Sequence, residues 1–210
     1  MQTLQVIFDK YECDKGSRTH RYDRVYEPAL QHLREEQFNL LEIGILRGES
    51  LQAWLEYFPK VRISAIDIFR RVPAKDVPIL KHPRVSWCSC DSLRGPNSAF
   101  NIIAKTGFDV IIDDGLHFHD AQYATFKNFF TYLNKHGVYF IEDVWPFDRI
   151  PVIERQQHEW LIKNPKRYSD VQYNRLLKTI SPYIIKYHDL RDGYRPDTFI
   201  IEVRKEPTIS

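Results

Sequence analysis

Acidic side chains and a histidine gather at two points in the sequence, each directly after an apolar run. Asp114 and His117 follow one run, and Glu142 and Asp143 follow another. If the two runs are neighbouring strands of a parallel sheet, their carboxyl ends meet at one edge. Three carboxylates held that close repel one another unless a cation offsets their charge. Because the ligand atoms would all be oxygens, the sequence indicates a hard ion such as Mg²⁺.

His117 is a candidate base, because a neutral imidazole takes up a proton readily and titrates near physiological pH. Other interpretations stay open at this point. His117 can instead cap the following helix or bond to backbone, and His119 is a rival base. Glu142 and Asp143 can be an ordinary solvated strand end. Asp113 should face away from the residue after it, because neighbours in a strand alternate faces.

A second set of residues stands where open α/β sheets bind their ligands, just beyond the strand ends. Its members are Glu42, Gly44, Gly48, Asp67 and Asp91. Glycine lets the backbone approach a ligand closely, and a carboxylate at the position of Asp67 can accept both hydroxyls of a ribose. The glycines lack the spacing of the dinucleotide fingerprint, which disfavours an NAD-dependent enzyme. The acids at successive strand ends strengthen the interpretation as a nucleoside site.

The elements that must position these residues alternate between strand and helix. The predicted strands are 39–44, 61–67, 84–91, 108–113, 137–143, 183–188 and 198–204. The last two are joined by a polar loop, 189–197, and should close in hairpin fashion. We therefore predict an α/β protein with a single-domain, doubly wound, Rossmann-like fold and a mixed, mostly parallel seven-stranded sheet.

The predicted helices cover the two faces of this sheet. They are expected at 48–58, at about 120–134, where Gly137 should end the helix, and across most of 153–180, interrupted by Pro165. Before the first strand, a polar and irregular segment leads into a helix at about 28–36. Pro28 suits its first turn.

Composition narrows the class of protein. The 210 residues suit one domain, 1–210, with 1–37 as a lead-in and 38–210 as the core. A net charge of +2 is too weak to indicate nucleic acid. No apolar run is long enough for a membrane span and no signal peptide is visible, so a cytoplasmic protein is expected. The three cysteines lack metal-ligand spacing and fit structural thiols.

Four segments, in order, resemble a family of class I S-adenosylmethionine-dependent methyltransferases. They are Glu42-Ile-Gly-Ile-Leu-Arg-Gly-Glu-Ser50, Ile66-Asp67, Ile112-Asp-Asp-Gly-Leu-His117 and Tyr139-Phe-Ile-Glu-Asp143. The family is that of the metal-dependent sugar O-methyltransferases of macrocin, mycinamicin and rhamnosyl-tetracenomycin type. The lead-in is similar too, with Asp14-Lys-Gly followed by His20, Tyr22 and Tyr26-Glu27. The likeness covers roughly residues 10–145.

The resemblance implies roles for particular residues. It implies a site for S-adenosylmethionine with candidates Lys15, Tyr22, Glu42, Gly44, Gly48, Asp67, Asp91 and Asp113. It also implies that Asp114, Glu142 and Asp143 hold Mg²⁺ or another hard divalent cation, with His117 as the general base. The lead-in would then fold as a lid over the cofactor. The alternative for the lead-in is a mobile N-terminal arm.

The chain departs from the family in two respects. The usual Asp-Gly-Ser-His is Asp114-Gly-Leu-His117 here, and we expect the chain to lack the auxiliary N-terminal domain that some members carry. The expected reaction is methylation of a sugar hydroxyl, for example of rhamnose on a glycan, a polysaccharide or a glycosylated natural product. A catechol-like diol as acceptor and a non-catalytic nucleotide-binding domain are the alternatives.

The expected partner is a sugar or glycoside, not nucleic acid, and the sequence also allows a homo-oligomer. Trp145, Tyr123 and Tyr187 are candidates to stack on a sugar, although large aromatic residues more often belong to the core. The 153–180 region is expected to shape the acceptor pocket.

Overall fold

The computed structural model describes residues 2–191 and 195–207, which form two helical layers around a central sheet. The strands are Asn39–Ile43 (β1), Arg62–Asp67 (β2), Val85–Ser89 (β3), Phe108–Asp113 (β4), Leu133–Ile141 (β5), Tyr183–Asp189 (β6) and Phe199–Pro207 (β7). They form one seven-stranded sheet of order β3-β2-β1-β4-β5-β7-β6. Only the pairs made by β7 are antiparallel. The predicted fold class is confirmed. The predicted 189–197 loop includes residues 192–194, which lie outside the described part of the chain.

The helices pack on both faces of this sheet. They are Leu4–Lys10 (α1), Asp23–Leu30 (α2), Glu49–Tyr57 (α3), Ser98–Ile103 (α4), His119–Phe129 (α5), Val152–Arg155 (α6), Glu159–Lys163 (α7) and Asp170–Ile180 (α8). Successive strand residues supply opposite cores, as Leu40 and Leu41 do. Helices α1, α2 and α3 cover one core, and α4, α5 and α8 cover the other. Among the described residues, no helix has both the length and the apolar character to cross a membrane.

The predicted extent of the 120–134 helix is wrong at its end. Helix α5 stops at Phe129 and a 3₁₀ turn follows, and Leu133 already begins β5. Phe108 pairs with Leu133 and Val110 with Val138, so the residues between bulge out of the strand. Leu133 continues the apolar spacing of the helix, but it reaches the same core from a strand. Gly137 therefore lies inside β5 instead of capping a helix.

The predicted position of Pro28 is also wrong. Helix α2 begins at Asp23, so Pro28 lies inside it and the helix ends by residue 30. A proline there removes one backbone hydrogen bond of the helix. Burial of Val25, Tyr26 and Leu30 stabilises this short helix instead, which a local start signal could not reveal.

Candidate active site

A cavity of about 590 Å³ opens at the carboxyl ends of the first four strands. It lies at the point where the strand order changes direction between β1 and β4, which is where doubly wound sheets bind ligands. Of the predicted cofactor residues, Lys15, Gly44, Asp67 and Asp91 line it. The other four, Tyr22, Glu42, Gly48 and Asp113, do not line it.

Gly44 holds the ends of β1 and β4 in contact. Its φ is +84°, and a Cβ there would lie 2.2 Å from the carbonyl oxygen of Asp114. The backbone N–H of Asp114 donates to the carbonyl of Ile43 at 2.9 Å. This close approach requires glycine. Gly48, whose φ is +81°, packs against Ile79 and forms the turn that directly precedes α3.

Asp67 fixes the loop that follows β1. Its carboxylate accepts the backbone N–H of Ile45 at 3.0 Å and that of Phe69 at 2.6 Å. The end of β2 therefore sets the shape of the cavity floor. Asp91 is held less firmly, accepting the N–H of Leu93 at 3.1 Å while pairing with exposed Arg94 at 3.3 Å.

Glu42 and Asp113 are buried and do not line the cavity. Glu42 accepts hydrogen bonds from the Ser50 hydroxyl at 2.5 Å and the Trp54 indole at 3.0 Å. Burial raises the pKa of each carboxyl to about 7. Asp113 accepts a hydrogen bond from the hydroxyl of Tyr139 at 3.4 Å. Both acids tie the strand ends to the layers beside them.

Lys15 reaches the acids from the lead-in. Its side chain is 1% exposed, and its ammonium donates to Asp114 Oδ2 at 2.5 Å and to Glu142 Oε2 at 2.6 Å. Burial alone would lower the pKa of Lys15, but the two carboxylates outweigh burial and raise it well above its ordinary value. Lys15 therefore stays protonated and lies between two of the three predicted metal ligands.

Two tyrosines of the lead-in hold the other oxygens of this cluster. The hydroxyl of Tyr22 donates to Asp143 Oδ1 at 2.5 Å, and that of Tyr26 donates to Glu142 Oε1. The imidazole of His20 stacks on Tyr22 and lies 3.6 Å from Asp143. The lead-in is thus packed against the site, which contradicts the mobile-arm alternative. No local sequence pattern predicted the contact between Tyr26 and Glu142.

Asp114, His117 and Asp143 offer a set of atoms that suits a divalent cation. One ligand atom from each lies within 4.8 Å of the others. His117 Nε2 is 3.8 Å from Asp114 Oδ1 and 3.6 Å from Asp143 Oδ2. Two carboxylate oxygens beside an imidazole fit a hard or borderline ion. The structure therefore brings together two of the predicted metal ligands and the predicted base, while the Glu142 carboxylate faces Lys15 and Tyr26.

The two candidate bases lie in different environments. The side chain of His117 is 35% exposed and lines the cavity. Burial alone would lower its pKa, but Asp143 and Asp114 outweigh burial and raise it. His119 is fully buried with Nε2 2.8 Å from the carbonyl of Trp145, and burial lowers its pKa to about 4. Only His117 of this pair can meet a substrate.

The far wall of the cavity was not predicted in detail. It is formed by Phe118, Trp160 and Tyr168. Of the proposed stacking residues, Trp145 is buried in the core, and the ring of Tyr123 is covered by the Arg175 guanidinium at 3.9 Å. The 153–180 region does reach the cavity, as expected. A single tryptophan in a polar helical stretch carries no signal that marks it as a wall residue.

The chain is similar to curated sugar O-methyltransferases. It is 33% identical over 149 residues to the L-olivosyl-oleandolide 3-O-methyltransferase of Streptomyces antibioticus, covering 65% of this chain and 37% of that protein. It is 27% identical over 150 residues to the demethylmacrocin O-methyltransferase of Streptomyces fradiae, covering 68% and 36%. The chain thus spans little more than a third of these relatives. No protein-family model matches it. The predicted resemblance is confirmed.

Solved structures agree on the fold. The MycE methyltransferase of mycinamycin biosynthesis, in complex with Mg and SAH, superposes with a TM-score of 0.70 at 22% identity, over 100% of this chain and 56% of that one. The SAH-bound methyltransferase PaMTH1 of Podospora anserina gives 0.59 at 15% identity, over 97% and 88%. The fold is therefore that of the class I methyltransferases.

Proposed function

We propose that this chain, a homologue of sugar O-methyltransferases with the class I methyltransferase fold, transfers a methyl group from S-adenosylmethionine to a sugar hydroxyl with the help of a divalent cation. One observation carries the proposal. A single cavity is lined on one side by Gly44, Asp67 and Asp91, and on the other by Asp114 and His117. A methyl donor on the first side would face an acid-and-imidazole cluster on the second.

The first side suits the cofactor. Asp67 is the carboxylate for the ribose hydroxyls, Asp91 lies beyond it for the adenine, and Gly44 lets the backbone approach the donor. When bound, S-adenosylmethionine supplies a methyl group made electrophilic by its sulfonium. Glu42, Gly48 and Asp113 support this side through the packing described above, whereas Lys15 and Tyr22 contact the acids of the second side.

The second side suits a hard divalent cation such as Mg²⁺. We assign Asp114 and Asp143 as its ligands and keep Glu142 in the proposed set, because Glu142 shares the Lys15 ammonium with Asp114. When bound, the cation supplies positive charge that lowers the pKa of an acceptor hydroxyl. The Mg in the MycE complex supports this assignment.

His117 acts as the general base. Neutral imidazole accepts the proton of the acceptor hydroxyl as the methyl group is transferred. Asp143 and Asp114, less than 4 Å from its Nε2, then stabilise the imidazolium. Since the ring is partly exposed, it can pass this proton to water after turnover.

The acceptor is a sugar carried by a natural product or glycan, and the names of the curated relatives support this class. A catechol-like diol is the acceptor to compare it with, since a metal would serve it equally well. A panel of rhamnosides and catechols, assayed with the same enzyme, separates the two. Preferred methylation of catechols would contradict the sugar assignment.

The first test is a calorimetric titration with S-adenosylmethionine in the presence of Mg²⁺. We expect saturable binding near one equivalent, lost in Asp67→Ala. His117→Ala should keep cofactor binding and lose about 10²-fold or more in methyl transfer, which is the usual contribution of a general base. His119→Gln, two residues away and facing the core, is the matched control for catalysis. Folded protein that binds no cofactor at millimolar concentration would leave a non-catalytic domain as the interpretation.

A further inference from the structure

We propose that the indole of Trp160 is the apolar wall of the acceptor subsite and stacks on the ring face of a pyranose. This rests on the proposed function and specifies its acceptor side. The residue lies on α7, in the region that connects β5 to β6, and lines the same cavity as His117.

The indole of Trp160 packs against the ring of Phe118. Its ring lies parallel to that of Phe118, with centroids 5.7 Å apart and an interplanar angle of 16°. The guanidinium of Arg167 covers Phe118 at 3.8 Å and is itself held by the carboxylate of Asp120 at 3.1 Å. The indole is therefore a terminal ring of an ordered stack. Trp160 is 52% exposed, so much of its ring remains uncovered by protein.

The N–H group of the Trp160 indole already has a hydrogen-bond partner. Its Nε1–H donates to the hydroxyl of Tyr168 at 3.0 Å. What Trp160 can offer a ligand is consequently its aromatic face and not a hydrogen bond. This bond also fixes the orientation of the ring, so less conformational entropy is lost when a ligand packs against it.

The stack is joined to the chemistry through the chain. Phe118 follows His117 directly in the chain, so the proposed base and the aromatic stack belong to one continuous segment. A pyranose packed on an aromatic face directs its C–H bonds toward the ring and its hydroxyls outward along its edge. A base beside such a stack meets the edge, where the hydroxyls are. An exposed tryptophan beside a base in a partly apolar cavity is therefore suited to a sugar ring.

This geometry favours a particular kind of sugar. Deoxygenation widens the apolar face that can cover the indole, whereas a charged uronic acid adds a group that the indole cannot pair. A neutral deoxypyranose such as a rhamnoside, the acceptor already expected from the resemblance, is therefore a suitable probe of this subsite.

The test measures sugar binding separately from cofactor binding. Protein loaded with SAH and Mg²⁺ is titrated with methyl α-L-rhamnopyranoside and followed by NMR. We expect Trp160→Ala to raise the dissociation constant of the sugar about tenfold, as loss of an apolar contact of one ring face should. Trp160→Phe, which keeps a ring in the stack, should recover most of the affinity. Ile162→Ala removes an equally exposed apolar side chain from the same helix and should change nothing.

The outcomes distinguish the inference from the proposed function. The dissociation constant of SAH should be the same in all four proteins. If SAH binds and the rhamnoside binds equally well to Trp160→Ala, or does not bind the wild type at all, the stacking subsite is wrong. If the wild type does not bind SAH, the proposed function fails, and the same sugar titration on unloaded protein still decides about Trp160.

Discussion

At the scale of single residues, the ammonium of Lys15 lies between two carboxylates that are themselves largely out of water. Burying charges is costly, and the cost is offset only while each charge keeps its partner. Burial raises the pKa of Glu142 well above its ordinary value and also raises that of Asp114, while Lys15 opposes both rises. When Asp114, Glu142 and Asp143 are all ionised and Lys15 is protonated, these four groups carry a formal charge of −2. A divalent cation would balance that charge.

Replacing Lys15 should therefore destabilise the protein unless a cation takes its place. We expect Lys15→Met to lower the free energy of unfolding by about 3 kcal/mol in chelator, because it leaves buried acids unpaired. Added Mg²⁺ should restore part of this loss, since a ligand bound only by the folded state stabilises it. Urea denaturation with and without Mg²⁺ measures both effects.

The control for this experiment is Lys10→Met. Lys10 pairs with Glu56 at 2.6 Å on the surface, so the substitution removes an exposed ion pair and should have little effect. Equal stabilities for the Lys10 and Lys15 variants in chelator would contradict the role given to Lys15.

The buried His119 should make the stability of the protein depend on pH. Its pKa is about 4 in the folded protein, below the 6.5 of a free histidine, so the unfolded chain binds more protons between these values. Its contribution to stability is complete above about pH 6.5 and is lost as the pH falls towards 4. Between pH 7.5 and 5 the wild type should lose about 2 kcal/mol more than His119→Gln, which keeps a donor for the Trp145 carbonyl but does not titrate. Urea midpoints at both pH values give the difference, and parallel losses in the two proteins would contradict it.

Residue types alone indicated much of the site. Asp114, His117 and Asp143 meet because each stands at a strand end, and the ends of adjacent parallel strands share an edge. The contact between Lys15 and the acids could not be predicted in the same way. No local spacing connects residues that lie 99 and 127 positions apart.

At the scale of elements, the turns after β1 and β4 depend on one glycine. Gly44→Ala adds a Cβ at 2.2 Å from backbone that cannot yield easily, in a conformation that side chains rarely adopt. We expect a loss of about 3 kcal/mol or more in stability, together with weaker cofactor binding, because the ends of β1 and β4 must separate.

Gly95→Ala is the matched control for this substitution. Its φ of +91° is similar, but the nearest atom to the added Cβ would be in the side chain of Asn128, at 3.4 Å. It should lose only about 1 kcal/mol, the cost of the backbone conformation. Thermal denaturation and calorimetry compare the two variants. Equal losses of stability in the two variants would show that the steric clash at Gly44 is unimportant.

The strands were easier to predict than the ends of the helices. Strands of a sheet covered on both faces are mostly apolar runs, as Val110, Ile111 and Ile112 show in β4, and such runs are visible in the sequence. The end of α5 and the start of α2 are set by which core each side chain reaches. Leu133 and Tyr26 are examples. The core in which each side chain is buried determines whether the residue belongs to a helix or a strand, and the spacing of apolar residues in the sequence does not.

At the scale of the whole molecule, we propose that the 1–37 lead-in and the 38–210 core fold as one unit. Phe8 packs edge-on against Trp54 at 5.0 Å, and Tyr26 packs against Phe140 at 4.9 Å. These contacts place the lead-in inside the core on one face of the sheet. A detachable lid would leave that core complete without it, and here it does not.

A chain that begins at residue 38 should therefore lack a cooperative unfolding transition. We expect it to keep helical signal in far-ultraviolet circular dichroism, to lose near-ultraviolet signal and to bind a hydrophobic dye, because one core is left open. The full chain should show one transition that coincides in both spectral regions. Two separate transitions in the full chain, or a native near-ultraviolet spectrum for the shortened one, would contradict the single unit.

Because Lys15 precedes Asp114 and Glu142 in the chain, it also affects the order in which the protein folds during synthesis. During synthesis the N-terminus emerges first, so Lys15 is available long before Asp114 and Glu142, which follow it by 99 and 127 residues. Glu142 cannot be buried with Lys15 until the whole of β5 has left the ribosome. Long-range pairings of this kind form slowly, so the electrostatic centre of the nascent protein is expected to be among the last parts to assemble.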